Sequence, residues 1–302
     1  MPELPDITVY IEALSERVLM QPIQKIRIGS PFVLRSFDPS ISAAEGKRVL
    51  ALRRLGKRIV FELEDELFLI VHLMIAGRFQ WKPKGAKIAR KYGQAAFDFT
   101  PGTLLLTEAG TRKRASIDLV RGEAALREHD PGGLEVLDAS LDQFREALRR
   151  ENHTLKRSLT DPHLFSGIGN AYSDEVLHRA RLSPIRLTRQ MPEKEIEALY
   201  RAIRESLTEW VERLRKERGT GFPEKVTAFR PDMAVHGKFR KPCPVCGSPV
   251  QRIVHAENET NYCAKCQTGG KLLADRSLSR LLKDDWPRTL EELEEGRRVH
   301  QR

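Results

Sequence analysis

All four cysteines of this 302-residue chain fall into two Cys-x-x-Cys pairs, Cys243-Pro-Val-Cys246 and Cys263-Ala-Lys-Cys266, with sixteen residues between them. This is the spacing of a closed tetrahedral zinc site in which two knuckles each offer two thiolates. Such a segment can fold as little else than a zinc ribbon, expected over residues 236–267. Four thiolates leave no open position for water or substrate, so one structural Zn2+ is expected, with no organic cofactor. Four unrelated buried thiols or two disulfides are the competing readings. Met1-Pro2-Glu3 lacks the basic start of a secretory signal, which favours reduced thiols and hence metal.

The formal net charge is +10, from 52 Lys and Arg against 42 Asp and Glu. That balance points toward a polyanionic partner, nucleic acid first, although charge alone does not exclude a basic protein that binds none. The ribbon is locally basic, with Lys238, Arg240, Lys241, Arg252, Lys265 and Lys271 outnumbering Glu257 and Glu259. No apolar run approaches the roughly 18 residues that would cross a bilayer. No membrane association is therefore expected, and the chain should be cytoplasmic, intracellular and nucleoid-associated.

Apolar positions at Ile7, Tyr10, Ile11, Leu14 and Val18 predict a helix from Asp6 to about Met20. Short runs without helical period follow, at Val49–Leu52, Ile59–Leu63, Leu67–Val71, Ala96–Phe99 and Leu104–Leu106, separated by Gly, charged or Pro-Gly turns. They predict an antiparallel sandwich or barrel to about residue 120. Beyond Asp130-Pro131-Gly132-Gly133 the period becomes helical, with helices expected at Leu141–Arg150, Asp174–Arg181 and Glu193–Arg218. Gly167-Ile168-Gly169-Asn170 precedes one of these helices, and glycines before a helix N-terminus permit close approach of a phosphate, to which Asn170 could donate. A Gly-x-Gly turn with no ligand is the alternative.

Met1-Pro2-Glu3-Leu4-Pro5, Gly167-Ile-Gly-Asn-Ala-Tyr-Ser-Asp-Glu175 and the paired cysteines occur in the order and spacing of one family. Over residues 1–267 the chain resembles the formamidopyrimidine-DNA glycosylase and endonuclease VIII enzymes of base excision repair. The resemblance implies an α+β multidomain fold. It comprises an N-terminal antiparallel β-sandwich with a helix (1–130), a helix-two-turn-helix domain (136–235), the zinc finger (236–267) and a helical extension (268–302). It also implies a monomer acting on double-stranded DNA that carries a damaged base or abasic site. Loss of Met1 would free the secondary amine of Pro2 to attack the sugar C1′, with Glu3 moving protons. Lys57, in Arg53-Arg54-Leu55-Gly56-Lys57, matches the family's phosphate-holding turn. Extraction of a base leaves a gap, and Met74 or Ile75, in His72-Leu-Met-Ile-Ala-Gly77, matches the intercalating turn; core burial is the other reading of this pair.

Three departures from the family pattern are visible. Asn258 stands where the finger usually has an arginine, so phosphate contact there loses its charge and the second elimination step loses support. The usual aromatic wedge segment is replaced by Glu108-Ala-Gly-Thr-Arg112-Lys-Arg114, whose Arg112 and Arg114 are the candidate DNA contacts. The segment between Gly219 and His236 is short. A lesion-binding protein of the same fold with lost or lyase-only activity is the alternative these departures raise, and a zinc-ribbon protein of transcription or RNA metabolism is a more distant one. In the tail, Leu278, Leu281 and Leu282 share a helical spacing, and Thr289-Leu-Glu-Glu292 has the form of a capping box.

Overall fold

In the computed structural model the first helix, α1 (Leu4–Val18), begins two residues before the expected Asp6 and ends two before Met20. Glu3 is its N-cap, and the Asp6 carboxylate reaches back to the Glu3 amide at 3.0 Å. Pro5 is tolerated because amides of the first turn have no intrahelical partner to lose. The structure describes residues 1–255, 258–273 and 287–293. They divide into one unit of Met1–Gly133 with Leu207–Ala228, and a second of Leu134–Ser206 with the described residues from Phe229 onward.

The first unit holds eight strands: β1 (Lys25–Ile28), β2 (Val49–Leu55), β3 (Arg58–Leu63), β4 (Leu67–His72), β5 (Gly77–Lys82), β6 (Gly93–Asp98), β7 (Thr103–Glu108) and β8 (Ser116–Arg121). They make two four-stranded antiparallel sheets, ordered β1-β6-β7-β5 and β2-β3-β4-β8. The sandwich expected from the short runs is therefore present, with β1, β5 and β8 in addition. Phe79, Phe97, Leu104 and Leu106 of one sheet share a core with Ile59, Phe61, Leu69, Val71 and Ile117 of the other. The Phe61 and Phe97 rings stack at 6.4 Å. Each such buried side chain contributes about 1.5–3 kcal/mol. β4 reads Leu-Phe-Leu-Ile-Val without alternation because both its faces are covered. Leu67, Leu69 and Val71 join the main core, while Phe68 and Ile70 pack with Leu126 of α2 (Glu123–Arg127).

Apolar positions Ile7, Tyr10, Leu14 and Val18 bury α1 in the same core. Leu207–Ala228, part of which is the end of a long helix, packs here too. Arg215 and Arg218 pair with Glu12 and Glu16, and Phe222 lies 5.7 Å from the Tyr10 ring.

The second unit contains α3 (Leu141–Arg149), α4 (Leu155–Thr160), α5 (Asn170–Arg179) and the first part of α6 (Glu193–Arg218). Ser140 and Gln143 cap α3 reciprocally, with Ser140 Oγ accepting from the Gln143 amide at 3.2 Å. Phe144, Phe165 and Tyr200 pack ring on ring in the helical core. The structure starts α5 at Asn170, four residues before the expected Asp174, with Gly169 as N-cap. The finger is an antiparallel hairpin of β9 (Gln251–His255) and β10 (Asn258–Tyr262), followed by α7 (Ala264–Thr268), which Cys263 caps. In the tail, Thr289 Oγ1 accepts from the Glu292 amide at 3.3 Å, one half of the expected capping box, while the Glu292 carboxylate accepts from the Arg288 amide at 2.6 Å. Leu278, Leu281 and Leu282 lie outside the described residues.

Candidate active site

Pro2 and Glu3 are buried at the head of α1, with Glu3 only 2% exposed. The amine of Met1 beside them is held below its ordinary value, chiefly by burial. Arg78 and Lys57 push it the same way, while Glu3 and Asp6 oppose them. A low amine pKa raises the neutral, nucleophilic fraction at physiological pH. An amine freed at Pro2 would inherit this setting of two acids in the first turn of the helix and two cations nearby.

Lys57 sits at the tip of the two-residue turn joining β2 and β3, where Leu55 pairs with Arg58. Gly56 precedes it at φ 60°, the left-handed position that such a turn assigns to glycine. The turn after β4 carries Met74 at φ 53° and Ile75 with 54% of its surface exposed. Gly77 closes that turn by donating to the Leu73 carbonyl at 2.9 Å; a Cβ at residue 77 would lie 2.1 Å from the same oxygen. Ile75 is thus solvent-facing, whereas Met74 is partly buried.

The loop bearing Arg112 and Arg114 follows β7 and is organised by Glu108, which is 1% exposed. Its carboxylate accepts from the Arg114 amide at 2.9 Å and the Ala115 amide at 3.2 Å. Arg112 is exposed and Arg114 partly so.

Two groups of this unit carry no flag in the sequence. Arg78 donates through Nη1 to the carbonyls of Ile75 and Gly77, at 3.1 and 2.6 Å, tying the exposed turn to the surroundings of the N-terminus. His72 lies at the end of β4 opposite Arg58. Burial, reinforced by Arg58 and Lys57, pulls its imidazole down to about 4. In the linear chain each reads as an ordinary polar residue beside the turn after β4.

In the second unit, Asn170 opens α5 and its Nδ2 donates to the Glu259 carbonyl of β10 at 2.9 Å. Asn258, one residue earlier, is exposed at the start of β10. Part of the finger's positive charge is used internally, since Arg252 pairs with Glu259 at 3.0 Å and lies over the Phe239 ring. Sequence reading passed over the network beneath Asn170. Asp174 is fully buried and pairs with Lys156 and with His236 Nδ1 at 2.8 Å, and it accepts from the Asn261 amide at 3.1 Å. Glu175 accepts the amides of Ala234, Val235 and His236 at 2.8, 2.9 and 2.9 Å.

The sulfurs of Cys243, Cys246, Cys263 and Cys266 lie within 4.8 Å of one another. The separations Cys243–Cys266 and Cys246–Cys263 are 3.9 and 3.4 Å. Tetrahedral zinc with 2.3 Å bonds places its sulfurs about 3.8 Å apart, so the four thiolates fit it. When bound, the metal would join two knuckles that share a small core with Val235 and Val250.

Three family models match in order: the formamidopyrimidine-DNA glycosylase N-terminal domain over residues 1–117, its H2TH domain over 133–220, and the zinc finger found in FPG and IleRS over 240–269. The formamidopyrimidine-DNA glycosylase of Thermus thermophilus is 33% identical over 281 residues, spanning 89% of this chain and all of the relative. That of Heliobacterium modesticaldum is 31% identical over 88% of this chain and all of its own length. The chain belongs to the formamidopyrimidine-DNA glycosylase family. The family's enzymes are DNA glycosylases of base excision repair with abasic-site lyase activity. Among solved structures, the Lactococcus lactis Fpg in complex with abasic-site DNA has a TM-score of 0.78 at 27% identity, covering 88% of this chain and 99% of that one. The Thermus thermophilus protein has a TM-score of 0.73 at 32% identity, covering 88% and 98%. Among the described residues, no helix of this glycosylase-family chain is long and apolar enough to cross a membrane.

Proposed function

We propose that this chain excises an oxidised base from duplex DNA and then cleaves the backbone at the resulting abasic site, with the Pro2 amine as nucleophile once Met1 is removed. The observation that carries this reading is the burial of Pro2 and Glu3 at the head of α1, with Lys57 and Arg78 acting on the adjoining N-terminal amine. The nitrogen lone pair forms a bond to C1′ as the glycosidic bond breaks and the departing base takes a proton. Glu3 supplies and recovers protons as the sugar ring opens and the N–C1′ bond becomes an iminium. Loss of a C2′ proton then expels the 3′ phosphate, and water releases the enzyme. Proline suits this role because its ring fixes the direction of the lone pair.

Lys57 holds a phosphate beside the lesion, Asn170 and the finger grip others, and Ile75 and Met74 with Arg112 and Arg114 fill or flank the gap left by the extruded base. Asn258 offers a hydrogen bond but no charge, which favours one elimination over two. The functional segments are taken as 1–130, 136–235, 236–267 and 268–302, acting as a monomer in the cytoplasm at the nucleoid.

Borohydride reduction during turnover tests the proposal on duplexes carrying 8-oxoguanine, thymine glycol or an abasic site. A covalent adduct mapping to residue 2, with its loss on retention of Met1, is the expected result. Strand scission without an adduct, or an adduct mapping elsewhere, would overturn it. Tight lesion binding with no base released from any duplex would instead identify a damage-recognition protein of the same fold.

A further inference from the structure

Asn170, Asp174 and His178 recur every fourth residue along α5 and so lie on one face. Each meets the finger. Asn170 Nδ2 donates to the Glu259 carbonyl, Asp174 accepts from the Asn261 amide, and His178 Nε2 lies 3.2 Å from Cys243 Sγ. His178 is 6% exposed, so a nitrogen left there without a partner would be costly. The tetrahedral set is already complete with four sulfurs, so the imidazole has no place in it. A metal-bound thiolate only accepts, which assigns the Nε2 proton to the imidazole.

We propose that His178 is an outer-sphere donor to the zinc site, its Nε2–H hydrogen-bonding the Cys243 thiolate. The contact draws charge from a sulfur in a centre that is negative overall, stabilises the bound metal and shields that thiolate from protonation and oxidants. It also makes zinc retention a property of α5, the helix whose first residue is the phosphate-donor candidate Asn170. Departure of the metal would loosen the far end of the same polar stripe. The inference rests on the finger's zinc and not on chemistry at Pro2, so its failure leaves the borohydride experiment unaffected.

The test compares full-length wild type with His178→Phe, which keeps an aromatic ring without the donor, and His178→Gln, whose Nε2 reaches about as far as the imidazole's. Zinc content is first measured by elemental analysis, and zinc release under excess chelator or peroxide is then followed with a chromogenic indicator. Release from His178→Phe is expected to be roughly 10–100-fold faster, with His178→Gln close to wild type. Wild-type rates in both variants, or equal acceleration in both, would overturn the proposal. Should His178→Phe be isolated without zinc, the glutamine variant decides: slow release supports the donor role, and fast release refutes it.

Discussion

Replacing Asp174 by asparagine probes the network that binds the finger to its supporting helix. The carboxylate is fully buried and its Lys156 partner only 13% exposed, at a separation of 2.5 Å. The variant keeps the shape of the side chain, but one amide oxygen must serve His236 Nδ1 and the Asn261 amide, leaving the amide NH2 pointing at the Lys156 ammonium. Removing one partner of a buried pair costs about 3–5 kcal/mol. Lys156 also donates to the Asn170 carbonyl at 2.7 Å and to Ser173 Oγ at 2.9 Å, so its charge keeps some solvation, and the lower end of that range applies. For a cooperative unit of 150–250 residues, about 3 kcal/mol corresponds to a fall in melting temperature of about 6–12 °C. Scanning calorimetry on zinc-loaded protein measures it, with metal content checked before and after. Replacing both partners by apolar residues, Lys156→Met with Asp174→Leu, should recover part of the loss, because no charge is then left unpaired. A melting temperature within about 1 °C of wild type for Asp174→Asn would show that the buried carboxylate does not hold this interface, and the reasoning would fail.

Two further expectations concern DNA cleavage and acid stability. Asn258→Arg should add one phosphate contact, steepening the salt dependence of lesion binding by about 0.9 in log–log slope and raising the share of doubly eliminated product on end-group gels. An unchanged slope with unchanged product ends would remove Asn258 from the DNA contacts. The second concerns His72, whose imidazole is near 4 when folded and 6.5 when unfolded. Between those values the unfolded chain holds a proton that the folded chain lacks. This group's contribution to stability is therefore constant above about pH 6.5 and falls as pH drops toward 4. Urea midpoints measured across that window should fall less steeply for His72→Gln than for wild type, and parallel profiles would refute the assignment.

What could be read from the chain follows from how far apart the determinants lie. Each cysteine knuckle and the run of β4 are set by neighbours within a few residues, so spacing and composition reveal them. β1, with four residues, is too short to show a period. β5 does alternate, Phe79 and Trp81 against Arg78, Gln80 and Lys82, a strand period that the sequence reading left unused. The early start of α5 escapes periodicity because Asn170 and Ala171 precede its apolar stripe. The Pro2-Glu3 head was recognisable only through the resemblance, since a Pro and Glu at a chain start otherwise describe a frayed end. The charges that act on the N-terminal amine come from distant Lys57 and Arg78, and Arg78 in turn meets the Val226 carbonyl.

The central motif illustrates the same limit from the other side. Gly-Ile-Gly-Asn-Ala-Tyr-Ser-Asp-Glu suggests a phosphate-binding turn when read alone, because glycines before a helix are a local signal. Its two acids gain meaning only from Lys156 on the preceding helix and from residues 234–236 and 261, some sixty to ninety positions away. A buried carboxylate with no local partner is costly unless distant donors reach it. An Asp-Glu pair in a helix buried along nearly its whole length is therefore a signal for a docked neighbour, and here the neighbour is the finger.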